Sequence, residues 1–211
     1  MPRRARVVYP ETPHLLRAIA QEPLFDHPDA CDEYLRLCGL YASVHGVDIE
    51  SYCLMKNHVH MVATPQTFQS LARFFRSVHS RYAGETSGPP RQIWRDRFQS
   101  TALDRPNAHR AIRMIEQRPT HLGIAPDPWE YPWSSAAARC GRASPLGGIS
   151  FDDSVGSSHE SVEEWLRERE PREVRERFEK HLDHGSPCGD QEFVKRLERN
   201  AQRRARRRES G

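Results

Sequence analysis

Two hydrophobic periods alternate along this 211-residue chain. From Pro28 to Gly46, Tyr34, Leu35, Cys38, Tyr41 and Ala42 recur at helical spacing, which predicts a first helix. Asp29 is placed to cap it, and Gly46 stands where a left-handed cap commonly ends a helix. Val47 to Met55 then reads as a strand, Lys56-Asn57 as a tight turn and His58 to Thr64 as a returning strand closed by Pro65. Leu71, Phe74, Phe75 and Val78 predict a second helix over Phe68 to Tyr82, followed by a breaker-rich loop from Gly84 to Pro90. Ile93 to Leu103 reads as another strand, and Asn107 to Gln117 as a third helix stopped by Pro119.

The cluster Trp129-Glu130-Tyr131-Pro132-Trp133-Ser134-Ser135 reads as aromatic packing rather than chemistry. From Gly141 to Ser158 the composition turns to Gly, Ser and Asp, as in a linker. Beyond it, Ser161 to His184 predicts a charged helix with Trp165, Leu166 and Phe178 as its sparse apolar positions. A last helix, Asp190 to about Arg208, opens on Phe193, Val194 and Leu197 and ends in the basic run Arg203 to Arg208. The chain thus divides into 1–140, a linker at 141–158 and a helical basic extension at 159–211. No internal repeat is visible.

Composition narrows the class. Hydrophobic residues are 36% and charged residues 29%, yet 4 Trp, 8 Phe and 6 Tyr argue against a wholly disordered chain. No apolar run approaches the roughly 20 residues of a membrane helix, which excludes an integral membrane protein. The basic stretch Met1 to Arg6 has no apolar segment behind it, against a secretory signal. Cys31, Cys38, Cys53, Cys140 and Cys188 are odd in number and scattered, against a disulfide scaffold or a Cys-based zinc finger and in keeping with a reducing cytoplasm. The net charge of +3 hides 32 basic side chains, nearly all Arg. Arginine suits phosphate and stacked bases. High genomic GC content enriches it equally, and composition leaves both readings open.

The chemistry concentrates in Tyr52-Cys53-Leu54-Met55-Lys56-Asn57-His58-Val59-His60-Met61-Val62. Side chains two apart on a strand share a face, so His58 and His60 lie side by side while Val59 and Met61 face the core. Two neutral imidazoles can hold a divalent cation with positions left for an oxygen ligand and a phosphate. A bare His-X-His is more often a pair of surface or packing histidines, and the asparagine-led turn before it and the sequence after it favour the metal reading.

The stretch NHVHM, preceded by SYCLM, resembles the histidine motif of the REP-associated tyrosine transposases, in the single-strand-transposase branch of the HUH endonucleases. The resemblance extends in order through PRRAR, DEYLRL, LARFFRSVHSRY, IWRDRFQS, DPWEYPWSS and PCGDQEFVKRLE. It implies an α/β (α+β) fold: a ferredoxin-like antiparallel sheet with helices on one face, here with a helical C-terminal extension. It implies cleavage and rejoining of single-stranded DNA beside hairpins. A third-helix tyrosine attacks the phosphate, leaving a 5′-phosphotyrosine and a free 3′-hydroxyl. Two histidines and a polar residue of the tyrosine's helix bind Mg²⁺ or Mn²⁺, a role that falls here on His58 and His60.

The third-helix motif departs from that pattern. The family's tyrosine is followed by Ile-Glu-Leu-Asn-Pro-Val-Arg-Ala-Gly, and this chain has Met114-Ile115-Glu116-Gln117-Arg118-Pro119-Thr120-His121-Leu122-Gly123. The Ile-Glu, Pro and Gly landmarks put Met114 at the nucleophile position and Arg118 at the third ligand. A thioether has no ionisable proton, and a guanidinium repels a cation. The loop Ala83 to Arg91 also departs from the family's longer Asn- and Arg-containing segment. Tyr82 is the substitute nucleophile to consider, and Tyr131 a poorer one. Arg95 and Arg97 are expected to contact phosphate beside a stacking surface from Trp94 or Phe98, the alternative being a solvated edge strand paired with Asp96 and Asp104. With Asn57 and Arg118 these make the expected DNA-binding set.

The resulting expectation is a cytoplasmic protein that binds single-stranded or hairpin DNA for metal-dependent strand transfer, with impaired catalysis. A domesticated non-catalytic DNA-binding regulator and an RNA-hairpin-binding protein are the alternatives. A homodimer is possible on sequence grounds.

Overall fold

Four antiparallel strands in the order β2-β3-β1-β4 form the sheet of the computed structural model, which describes residues 8–86, 92–145, 151, 155 and 161–209. Strand β1, His14–Ile19, lies at its centre. The hairpin of β2, Val47–Met55, and β3, His58–Pro65, forms as expected around the turn at Lys56-Asn57. The expected strand from Ile93 shrinks to β4, Gln99–Ala102. Residue Trp94 makes only an isolated bridge to Ala20, and 95–97 form a bend.

Helix α1, Pro28–His45, is entered from an extended His27, with Pro28 in its first turn. Asp29 lies inside the first turn rather than at the cap, where its charge complements the helix dipole. Gly46 ends the helix at φ 61° and ψ 63°, its N–H donating to the Ala42 carbonyl. A Cβ on Gly46 would stand 2.5 Å from Gln66 Oε1. Gly46→Ala is therefore expected to lower stability by about 1–2 kcal/mol, the usual penalty for a left-handed non-glycine residue. A urea titration reads this, and an unchanged midpoint would refute it.

Helices α1 and α2, Ser70–Thr86, cover one face of the sheet. Tyr34, Leu35, Leu71, Phe74 and Val78 pack there on Leu16, Ala18, Val59 and Met61. The expectation of helices on one face needs correction, because the opposite face is covered too. Leu15, Cys53 and Val62 pack there against α3, Arg105–Glu116, and against Trp165, Leu166 and Phe178 of the extension. The central strands are apolar on both sides, so each side needs a cover.

The third helix ends at Glu116 with Gln117 as its C-cap, within a residue of the expected end, and the chain then resumes as α4, Arg118–His121, with Pro119 in its first turn. Asp104 caps α3, its Oδ1 accepting from the Asn107 N–H at 2.9 Å. The expected helix from Ser161 to His184 breaks at Pro171. After the single turn α5, Ala136–Arg139, it becomes α6, Val162–Arg167, and α7, Arg172–His184. Helix α8, Gln191–Glu209, sets Phe193 and Leu197 against Tyr9 and Ala102.

Both outer strands carry an attached segment. On β2, the Leu54 N–H donates to the Trp133 carbonyl and the Ser135 N–H to that of Tyr52. Tyr131 donates its hydroxyl to the Leu54 carbonyl at 2.8 Å, and Trp129 is buried, as packing predicts. On β4, the Cys188 N–H donates to the Ala102 carbonyl. The PRRAR stretch, most of the expected linker and residues 87–91 lie outside the described residues. No described helix is long and apolar enough to cross a membrane.

Candidate phosphate-facing site

Alternation on β3 sends Val59 and Met61 into the α1–α2 core and turns His58 and His60 to the α3–α7 side. Their ring centroids are 5.0 Å apart with planes at 89°. Asn57 Oδ1 accepts from His58 Nδ1 at 2.9 Å, which leaves the lone pair on Nε2. Arg118 uses that lone pair, its Nε donating to His58 Nε2 at 3.1 Å. His60 is fully buried, and neither ring nitrogen has a partner among the described residues. Its register neighbours are Arg17 on β1 and Cys53 on β2.

Burial lowers the pKa of both histidines, and the Arg118 and Arg17 charges lower them further. His58 falls to about 4 and His60 well below its ordinary value. Both rings are neutral at pH 7. Met114 is buried in the apolar cluster that holds Leu15, Val62 and Cys53. It lies one turn before Arg118, and its side chain offers no nucleophile.

Helix α7 closes the site from above. Arg17 Nη1 donates to Glu179 Oε2, and Arg118 Nη1 stands 3.6 Å from Glu179 Oε1. Arg17 also reaches Asp183 Oδ1 at 2.6 Å and Gln99 Oε1 at 2.7 Å. Arg17, Glu179 and Asp183 escaped the sequence reading. The signal for Arg17 was the short apolar run from His14 to Ala20 between two prolines. For the carboxylates it was the i, i+4 spacing on α7.

The histidine pair has the right protonation state for a divalent cation but lacks the remaining donors. Among the described residues no group of three or more His, Cys, Asp or Glu could hold a metal ion. Mg²⁺ and Mn²⁺ favour oxygen ligands, whereas the third position here presents a guanidinium. Because that guanidinium occupies the His58 lone pair, the residues in this arrangement do not fit Mg²⁺ or Mn²⁺.

Other expected site residues are placed elsewhere. Tyr82 lies on α2, across the sheet from the histidines. It is 1% exposed, donates to the Leu24 carbonyl at 3.3 Å, and burial pushes its pKa to about 12. That position removes it as a substitute nucleophile. Trp94 is buried and stacked on His79 at 3.7 Å, and Phe98 on Phe75 at 4.2 Å, so neither ring is open to a base. Arg95 and Arg97 are exposed on the bend rather than on a strand. With Arg17, Gln99, Ser100 and Asp183 they line a groove of about 740 Å³. Asp104, an expected partner for them, is engaged in capping α3. Arg203 is exposed, and the side chains of 204–208 lie outside the described residues.

No family model matches the chain, and no curated protein does. Among solved structures, a REP-associated tyrosine transposase bound to a REP hairpin superposes with a TM-score of 0.59 at 13% identity. The match covers 77% of this chain and 99% of that one. A transposase-like protein of Deinococcus radiodurans R1 superposes with a TM-score of 0.39 at 15% identity, over 56% of this chain and 98% of that one. The first similarity shows a shared fold.

Proposed function

We propose that this chain, which shares its fold with a REP-associated tyrosine transposase, binds hairpin or single-stranded DNA without cleaving it. The observation that carries the reading is the Arg118 guanidinium on His58 Nε2, one turn after a buried Met114. Strand cleavage through a phosphotyrosine needs an oxygen nucleophile in line with the phosphate and a positive centre for the departing charge. Met114 withholds the first. The positive charge is retained as guanidinium, which binds phosphate oxygens but generates no nucleophile.

The groove beside Arg17 supports a single-stranded path. Arg95 and Arg97 on its rim suit backbone phosphates, and Asn57 fixes the His58 ring against Arg118. The expected stacking surface is gone, so affinity rests on phosphate contacts and hairpin shape, and falls with salt.

Two experiments test the reading. Labelled hairpin DNA is titrated at two salt concentrations, with random duplex and matched RNA hairpin as competitors. The hairpin DNA is expected to bind about tenfold tighter than duplex, and Arg95→Ala with Arg97→Ala to reduce the salt slope by about 2. Equal affinity for duplex, or preference for the RNA hairpin, would overturn the DNA assignment. In the second, 3′-labelled hairpin is incubated with the protein and Mn²⁺ and run on a denaturing gel. No protein-linked label is expected, and a covalent adduct would restore catalysis to the chain.

A further inference from the structure

We propose that Arg17 and Arg118 form a metal-independent binding site for a single phosphate group beside His60, and that Glu179 occupies this site from within the chain. Identifying the phosphate as part of a nucleic acid rests on the function proposed above. The anion site itself does not.

The two guanidiniums come from different elements, β1 and the start of α4, yet meet on one carboxylate. Arg17 holds Glu179 Oε2 and Arg118 faces Oε1. Two oxygens bridged by two guanidiniums is also how arginine pairs recognise phosphate, whose greater charge and additional oxygens favour it over a carboxylate. The Arg17 and Arg118 side chains are only 15% and 29% exposed, so their like charges require an anion between them.

His60 is a second, independent pointer. Buried polar groups are normally paired, and here a fully buried imidazole next to Arg17 in the register has both nitrogens unpartnered. A neutral imidazole carries one N–H donor, which a phosphate oxygen would satisfy and a second guanidinium would not. The site therefore has cationic walls and an unused donor at its base.

Glu179 is suited to be a removable occupant. Its side chain is one-third exposed on the outer part of α7. A change of rotamer releases both arginines without moving the helix. Asp183, one turn later, retains a contact to Arg17 and keeps that guanidinium in place. The neighbouring Arg113–Glu170 pair differs in kind: the Glu170 side chain is completely buried and cannot be exchanged for a ligand.

The test uses the full chain in EDTA, with inorganic phosphate and fluorescent hairpin DNA as separate probes. Arginine Nε–H resonances report phosphate binding, and anisotropy reports DNA binding. Glu179→Gln is expected to tighten both by about tenfold, with phosphate shifting the Arg17 and Arg118 signals first. Adding Arg118→Gln to that variant should reverse the gain, and Arg118→Lys should restore only part of it, because the forked geometry is lost. Unchanged or weaker phosphate binding in Glu179→Gln overturns the site, even if DNA still binds. Tighter phosphate binding with no DNA binding leaves the site standing for free phosphate and overturns the nucleic-acid reading. Dependence of either probe on added Mg²⁺ or Mn²⁺ overturns the metal-independent claim.

Discussion

Replacing Glu116 with alanine is expected to lower the unfolding free energy by about 3–5 kcal/mol, the range for stranding one member of a buried ion pair. The Glu116 side chain is completely buried and that of Arg139 is 3% exposed. Arg139 Nε meets both carboxylate oxygens at 3.0 and 2.9 Å, and its Nη2 meets Oε1 at 2.9 Å. Ser135 donates its hydroxyl to the same carboxylate at 2.5 Å and accepts from the Tyr52 N–H at 3.0 Å. Removing the carboxylate leaves a buried guanidinium uncompensated and loosens the segment attached to β2. Glu116→Gln keeps an acceptor and should cost less. Urea unfolding followed by circular dichroism measures both, and a loss below about 1 kcal/mol for the alanine variant would contradict the assignment. Glu116 stands in the Ile115-Glu116 landmark beside the expected nucleophile position, yet its bonds tie together the scaffold.

Acidification should unfold the protein well before carboxylates alone would predict. Burial lowers His14 to about 4, partly offset by its bond to the Thr12 carbonyl, and lowers His79 to about 3. His14 Nδ1 donates to that carbonyl at 2.7 Å while Nε2 accepts from the Tyr9 N–H at 3.2 Å. His79 is sandwiched against Trp94 and bonded to the Tyr34 hydroxyl at 3.2 Å. Both folded pKa values lie below the unfolded value near 6.5, so the unfolded chain binds more protons. The stability is complete above about pH 6.5 and declines as pH falls towards 4 and 3. Each histidine contributes a slope of up to about 1.4 kcal/mol per pH unit, so the two together approach 3 kcal/mol per unit near pH 5. Against a typical stability of about 5–15 kcal/mol this is decisive. Denaturant midpoints at pH 7, 6 and 5 should fall with increasing steepness, the depressed His58 and His60 adding to the same slope, and His79→Phe should remove one histidine's share, about 1.4 kcal/mol per pH unit near pH 5. A flat profile from pH 7 to 5 would refute the account.

The parts of the fold legible in the sequence were those marked by a helical apolar stripe or by a turn between two strand-like runs. Helix α1 announced itself through Tyr34, Leu35 and Cys38 and stopped at Gly46 as expected. The β2–β3 hairpin was readable because Lys56-Asn57 separates two strand-like runs. Strand β1 was not, because a strand buried on both faces has no alternation to display: His14, Leu15, Leu16 and Ala18 are all buried. Arg17 was hidden with it. The aromatic-basic run from Trp94 to Phe98 misled for a different reason. Its rings find His79 and Phe75, and no local pattern records partners that α2 supplies. Arg118 is the opposite case. The Ile-Glu, Pro and Gly landmarks marked it as a cation near the histidines, and the fold brings its Nε to 3.1 Å from His58.

The segments fastened to the outer strands have a consequence for self-association. An exposed strand edge offers unpaired N–H and carbonyl groups to any passing chain and is a common route to aggregation. Here the outer side of β2 bonds to Trp133 and Ser135, and that of β4 to Cys188. A second copy that sought to continue the sheet at those positions would first have to peel away its host's own backbone. At Tyr52, Leu54 and Ala102, then, the chain's own backbone stands where a fifth strand would have to start, and a second copy meets side chains there instead.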